Sequence, residues 1–284
     1  MNTSSIVTPP FIDCAGLPAD KISHGFFGCI GGVSEGVYGS LNVDLRRNDD
    51  PQAVQENRQR ILQALDCSSI CDDLLLVRQV HGTRCIVFSD ASVDGIEDED
   101  IIDPLVDLLT IEADAMVTKI PHLALCMMTA DCAPVLFYAK DEDGNPVVGA
   151  AHAGWRGAVN GVLEQTIKTM LACGVTRREN IIAIPGPMIG FRSYEVSADF
   201  TAPFLAQDPD NAILFAPSRN EGHFMFDFPR YIDNVLRDSN VQIGYTQRKD
   251  TYGRKDDDEY FSHRRSVHLQ QPDCGRQASV IVIR

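Results

Sequence analysis

Apolar residues along this chain recur in two rhythms. Short apolar or alternating runs of about four to eight residues predict strands, and recurrence at three and four positions predicts helices. Strands are expected at Leu74 to Val80, Glu112 to Thr118, Leu123 to Met128, Val135 to Ala139, Val147 to Ala151, Ile181 to Ile184 and Ser279 to Ile283. A short apolar strand from His24 to Ile30 runs into the Gly31-Gly32 turn. Ala158 to Cys173 has helical spacing. Asp50 as N-cap and Pro51 at the first helical position open another helix, with the apolar stripe Val54, Ile61, Leu62 and Leu65. Pro229 opens a third, carrying Tyr231, Val235 and Leu236 on one face. Strands and helices intermix without a repeat, a low-complexity tract or a linker, so one mixed α/β domain is expected.

Asn57 and Arg58 fall three and four positions after Val54, on or beside the stripe rather than on the water face. An inward Arg needs a partner, which is either a substrate phosphate or carboxylate, or a structural salt bridge. The turn Asp141-Glu142-Asp143-Gly144-Asn145 joins two strands as a hairpin. Opposed residues of a hairpin keep a nearly constant sum of positions. A centre at position 142 brings Cys132 and His152 together within a residue or two of register. A Cys beside a His is half a metal site or a nucleophile with its base. Pro134 cannot donate to a ladder, so a bulge or sheet edge is expected at Cys132.

His152 also lies in Gly149-Ala150-Ala151-His152-Ala153-Gly154-Trp155-Arg156-Gly157, a strand-to-helix turn holding the chain's single Trp. A helix starting there offers free N–H groups to an anion. The alternative is a packed corner in which a backbone carbonyl satisfies His152. His81, before Gly82 at a strand end, is placed either as a ligand or as a structural residue.

The net charge of −15 argues against a nucleic-acid or anionic-membrane surface. It leaves room for a small anion in a local basic pocket. Basic clusters do occur at Phe261-Ser262-His263-Arg264-Arg265 and Gly275-Arg276-Gln277. Residues 89 to 110 are acidic and irregular and read as a solvated loop, since the calcium-loop spacing is missing. Nine cysteines without Cys-x-x-Cys pairs suit a reducing cytoplasm. Met1 to Pro10 has neither a basic n-region nor a long apolar run, so neither a signal peptide nor a membrane span is expected.

An ordered set of motifs goes further. Arg78-Gln79-Val80-His81-Gly82, Ala113-Asp114-Ala115-Met116-Val117-Thr118, Ala130-Asp131-Cys132-Ala133-Pro134, Ala151 to Gly157, Gly186-Pro187 with Tyr194-Glu195-Val196, and the two basic clusters follow one another. The set resembles the laccase-domain purine nucleoside phosphorylase family, formerly labelled multicopper polyphenol oxidoreductase, some members of which are called peptidoglycan-editing factor. The resemblance covers residues 22 to 284, with residues 1 to 21 as a partly ordered lead-in. It implies a single-domain, layered α-β-β-α sandwich similar to cysteine hydrolases of the cytotoxic-necrotizing-factor type. It also implies a zinc held by His81, Cys132 and His152, with an open fourth position.

The implied activities are phosphorolysis of adenosine, inosine, guanosine and methylthioadenosine, and deamination of adenosine. The implied partners are purine nucleosides and phosphate. Cys132, His152 and Asp131 are the candidate catalytic residues, with Asp131 or Asp114 orienting a ligand His or serving as base. Asn42, Arg58 and Arg156 are the candidates for holding substrate or phosphate. Two departures stand out. Gly28-Cys29 occupies the place where family members commonly carry Thr-Arg, and Asp250-Thr251 the place of a common Cys-Thr.

Two other enzyme readings compete. A polyphenol oxidase needs many His ligands, and seven His with no His-x-His motif do not supply several coppers, although one copper at the Cys–His pair is a simpler variant. A metal-free Cys132 nucleophile with His152 as base would instead make an amidase acting on peptidoglycan precursors.

Overall fold

The computed structural model describes residues 8–89, 91–103, 108–253 and 259–284. Residues 1–7 of the expected lead-in, 90 and 104–107 of the expected acidic loop, and 254–258 lie outside the described residues.

Two sheets carry the architecture. The larger has seven strands in the order Gln242–Ile243, Ile182–Pro185, Ala133–Lys140, Pro146–Ala153, Ala115–Thr118, Cys85–Phe88 and Ile101–Ile102. The smaller has five, in the order Phe11–Ile12, Ile22–Phe27, Gln277–Ile283, Ala124–Thr129 and Leu74–Leu75. Both mix parallel and antiparallel pairs. A three-stranded sheet, Glu195–Ser197, His223–Phe226 and Phe215–Pro217, stands apart from them.

Alternation along the strands explains why the chain layers. Ile86, Phe88, Met116, Leu136 and Tyr138 of the larger sheet meet Leu125, Met127, Ile281 and Ile283 of the smaller in one buried cluster. Their neighbours Val87, Val117, Val135 and Phe137 point the other way, onto the helices Val162–Ala172 and Phe228–Asp238. On the smaller sheet Cys126, Met128, Val280 and Val282 turn outward onto Ile61 and Leu62 of the helix Pro51–Ala64. Side chains of period two thus fill three apolar layers from two sheets, which is how a sheet buried on both faces is stabilised.

Helix α1 (Pro51–Ala64) starts as its sequence predicts, with the Asp50 carboxylate accepting from the Gln52 N–H and Val54, Asn57, Arg58, Ile61 and Leu62 buried. The single helix expected from Ala158 to Cys173 is instead two, α2 (Trp155–Asn160) and α3 (Val162–Ala172). Gly161 separates them at φ 98°, a left-handed conformation that closes one helix and redirects the next. Helix α4 (Ala202–Gln207) and α5 (Phe228–Asp238) follow, the latter capped by Asp227 and burying Tyr231, Ile232, Val235 and Leu236. Helix α6 (His263–His268) is capped by the Ser262 hydroxyl.

Strand extents differ from expectation in places, and one strand is added. Leu74–Leu75 is all that pairs of the run to Val80, with a lone bridge from Arg78 to Glu112 beyond it. Phe11–Ile12, within the expected lead-in, adds an edge strand against Phe26 and Phe27. The strand before the turn begins at Ala133, with Pro134 opposite His152 and no bulge, because pairing with Ile182–Pro185 begins only at Val135. No described helix is long and apolar enough to cross a membrane.

Candidate metal centre

The hairpin register sets the site. Pro134 faces His152 and Ala133 faces Ala153, two residues from the symmetric register expected. Cys132 therefore sits on the diagonal from His152, a spacing that side chains still bridge. His152, one residue from the end of its strand, is 3% exposed. Its Nδ1 lies 2.8 Å from Asp114 Oδ1, so its partner is a carboxylate rather than the backbone carbonyl of the packed-corner alternative. Asp114 is wholly buried and also accepts from the N–H groups of Val80, His81 and Gly82 at 3.1, 3.0 and 2.7 Å. One carboxylate thus orients the His152 ring and folds the turn that carries His81. That turn puts His81 at φ 62°, and Asp131 beside Cys132 is at φ 87°. Non-glycine residues rarely take such angles, and they gather at functional sites.

His81 Nε2 is 3.8 Å from Cys132 Sγ, and the two imidazoles meet edge-on with centroids 4.8 Å apart. The ligand atoms of His81, Cys132 and His152 all lie within 4.8 Å of one another, the one such group of three among the described residues. Tetrahedral zinc with its usual bond lengths holds sulfur and nitrogen ~3.6 Å apart. The two-His, one-Cys donor set fits such an ion, and the Asp114 bond leaves Nε2 of His152 free for it. Burial pushes the Cys132 thiol up, but the charge of His152 and hydrogen bonds from His152 and His81 prevail and hold it at about 6. Burial pushes His152 down, but Cys132 and Asp114 outweigh it and raise the imidazole to about 9. A thiolate ready to bind metal or attack carbon is the result.

Two cavities flank this group and share His81, Ala130, Cys132 and His263 on their walls. One, of about 280 Å³, adds Arg46, Arg47 and Arg276. The other, of about 310 Å³, adds Trp155, Arg156, Tyr194, Phe228 and Arg264. Its aromatic wall is knit together: Trp155 lies 4.7 Å from Phe200, Arg156 stacks over Trp155 at 4.5 Å and Arg264 over Tyr194 at 5.3 Å.

Residues 23–284 match the family described as multi-copper polyphenol oxidoreductase laccase. The chain belongs to this family. Its relatives include a purine nucleoside phosphorylase of Rickettsia prowazekii, 34% identical over 259 residues, covering 89% of this chain and 98% of the relative. Escherichia coli K12 YfiH, also named a purine nucleoside phosphorylase, is 31% identical over 278 residues, 98% of each chain. Among solved structures, a Neisseria meningitidis protein has a TM-score of 0.73 at 28% identity, covering 97% of this chain and 99% of its own. Bacillus licheniformis YfiH reaches 0.76 at 25% identity, over 97% of both chains.

Of the residues singled out in this laccase-family sequence, the fold brings His81, Cys132, His152 and Arg156 to the cavities. It spends Arg58 elsewhere: Nε and Nη2 donate to the Val43 carbonyl and Nη1 pairs with Asp73. Asn42 is likewise a buried hub, accepting from Asp44 and Arg276 N–H groups and donating to Asp49. Asp131 lines the aromatic cavity, but its two oxygens accept from the Thr251 hydroxyl at 2.7 Å and the Arg264 N–H at 2.6 Å. Cys29 packs with Phe261, Cys274 and Ala130, the last of which lines both cavities. Sequence reasoning passed over Arg46 and Arg47, although two adjacent arginines in so acidic a chain were a visible signal.

Proposed function

We propose that this protein is a zinc-dependent purine nucleoside phosphorylase that also deaminates adenosine. The observation that carries the reading is the convergence of His81, Cys132 and His152, braced by buried Asp114, between a cationic and an aromatic cavity. The names of the relatives agree with its phosphorylase part. His81, Cys132 and His152 would hold the ion. Bound there, zinc supplies a Lewis acid for polarising an oxygen of water or substrate.

Phosphorolysis breaks the bond from ribose C1′ to the purine nitrogen, joins a phosphate oxygen to C1′ and returns a proton to the purine. The chain's own part is orientation. Asp114 fixes the His152 ring and the His81 turn, and Cys132 stays ionised. Trp155 and Tyr194, with Arg156 and Arg264 stacked over them, give the aromatic cavity planar surface against which a purine would pack. Asp131 acts as a positioning residue, joining the Cys132 turn to Thr251 and to the start of α6. The layered sheets agree with a likeness to cysteine hydrolases of the cytotoxic-necrotizing-factor type. A cytoplasmic setting accords with the nine free cysteines.

A second reading has its own observation. Cys132, His152 and Asp114 in line also form a thiol nucleophile, base and orienting acid, the set a metal-free amidase needs. Mass spectrometry of products from adenosine, with and without phosphate, beside Cys132→Ala separates them. Phosphate-dependent adenine and ribose-1-phosphate, lost in the variant, are expected of zinc-loaded protein. No turnover of any purine nucleoside by folded, zinc-loaded protein overturns the phosphorylase and favours the amidase.

A further inference from the structure

We infer that the cavity walled by Arg46, Arg47, Arg276 and Thr129 is an oxyanion subsite, built for inorganic phosphate. The identification of the anion rests on the phosphorylase reading above. The subsite itself rests on three observations.

The first is charge. The chain carries −15 overall, yet the residues lining this cavity include three arginines and three histidines and no carboxylate. Asp44 and Asp273 stand behind the arginines and pin them. Asp44 is 1% exposed and takes Nε and Nη2 of Arg46 and Nε of Arg47, while Asp273 takes Nη1 of Arg47. Arg276 is held by Nη1, which donates to the carbonyls of Cys274 and Gly275. Among the described residues no partner appears for Nη1 of Arg46, Nη2 of Arg47, or Nε and Nη2 of Arg276. Guanidinium groups fixed by one edge and open on the other suit a tetrahedral oxyanion.

The second is an orphan. Thr129 lines the same cavity, is 2% exposed, and its hydroxyl has no partner among the described residues. Its register partner across the ladder, Gln277, has an orphan amide nitrogen and is equally buried. A buried hydroxyl left unpaired is costly, and this one, on the cavity wall, calls for an acceptor within the cavity.

The third is position. The cavity shares His81 and Cys132 with the aromatic one, so an anion here and a purine against Trp155 and Tyr194 would lie on opposite sides of the metal ligands. That is the separation an attacking phosphate and a departing base need. Asn42 then serves the subsite from behind, accepting from the Arg276 N–H at 2.9 Å.

The test is direct binding of inorganic phosphate to the zinc-loaded protein by calorimetry, beside Thr129→Val and Arg47→Met, with the phosphate KM for inosine measured on the same samples. Thr129→Val keeps the volume and removes the orphan hydroxyl. It should leave the melting temperature unchanged or raised while weakening phosphate binding roughly tenfold or more. Arg47→Met leaves Asp44 with Arg46 and should weaken phosphate severalfold, raising the phosphate KM more than it lowers kcat. Inosine phosphorolysis with phosphate affinity untouched by both variants overturns the subsite and leaves the phosphorylase standing. Saturable phosphate binding, lost in the variants, from a protein that turns over no nucleoside supports the subsite and overturns the phosphorylase.

Discussion

Asp114 accepts four hydrogen bonds, three from the backbone of residues 80–82 and one from His152. Burial pushes its carboxyl up, but the bonds from His152, Gly82 and Val80 prevail and hold it below the usual carboxylate range. Asn in its place offers a single acceptor oxygen, so buried N–H groups lose their partner. Asp114→Asn should cost roughly 2 kcal/mol or more by urea denaturation. It should also weaken zinc, measured by competition with a chelating dye, by about 10–100-fold. Unchanged zinc affinity would separate Asp114 from the centre. Gly154 gives the opposite signature. Its φ of −69° and ψ of 161° suit any residue, but an added Cβ would stand 2.5 Å from His81 Cδ2 and 3.2 Å from Cys132 Sγ. His81 is exposed and can swing away. Gly154→Ala is therefore expected to stay folded, with an unshifted melting curve, while zinc affinity falls at least about tenfold. A variant that binds zinc as tightly as the parent would remove His81 from the ligand set.

Elements divide by whether their signal is local. Helix α1 was legible because its N-cap, its proline and its apolar stripe are all written within its own residues, and Arg58 was rightly placed inward. What the stripe does not encode is the identity of the Arg58 partner, a carbonyl and an acid fifteen residues away in either direction. The Cys132–His152 pairing was legible from a turn, since a hairpin register is a local property. Asp114 was harder to choose over Asp131, because both precede a strand and only the tertiary packing decides which meets a histidine. The break between α2 and α3 went unread because helical spacing continues across Gly161. A single glycine within an apolar period carries no signal of its own φ. Its Cβ space is open, with only Glu164 Oε2 at 3.7 Å, so Gly161→Ala tests conformation alone. Forcing alanine to φ 98° should cost about 1–2 kcal/mol in urea denaturation without altering zinc binding. No loss of stability would mean that α2 and α3 can run on as one helix.

The whole molecule depends on two sheets closing over a shared apolar layer, and strand order in those sheets joins residues far apart in the chain, such as Ile22 and Ile283. That order was beyond any local pattern. One polar group sits within the closure. His24 alternates with Ile22 and Phe26, both in the layer between the sheets, and is 8% exposed. Its Nε2 accepts the Cys14 N–H at 2.9 Å, a bond that only the neutral ring can make. Burial pushes the His24 imidazole below its ordinary value, more than the nearby Asp13 charge raises it. A folded value below the unfolded one means that the folded chain binds fewer protons as pH falls through this window. The contribution is therefore fully present above about pH 6.5, the unfolded value, and is lost as pH drops from there towards the folded value. Gln at position 24 keeps an acceptor at similar reach and cannot titrate. Melting temperatures followed from pH 7.5 to 5 should fall more steeply for the parent than for His24→Gln, the gap opening only below about pH 6.5. The other histidines and the Cys132–His152 pair are common to both proteins and cancel in the difference. Parallel curves would show that the sheets close equally well over a charged His24, and that the acid sensitivity of the fold lies elsewhere.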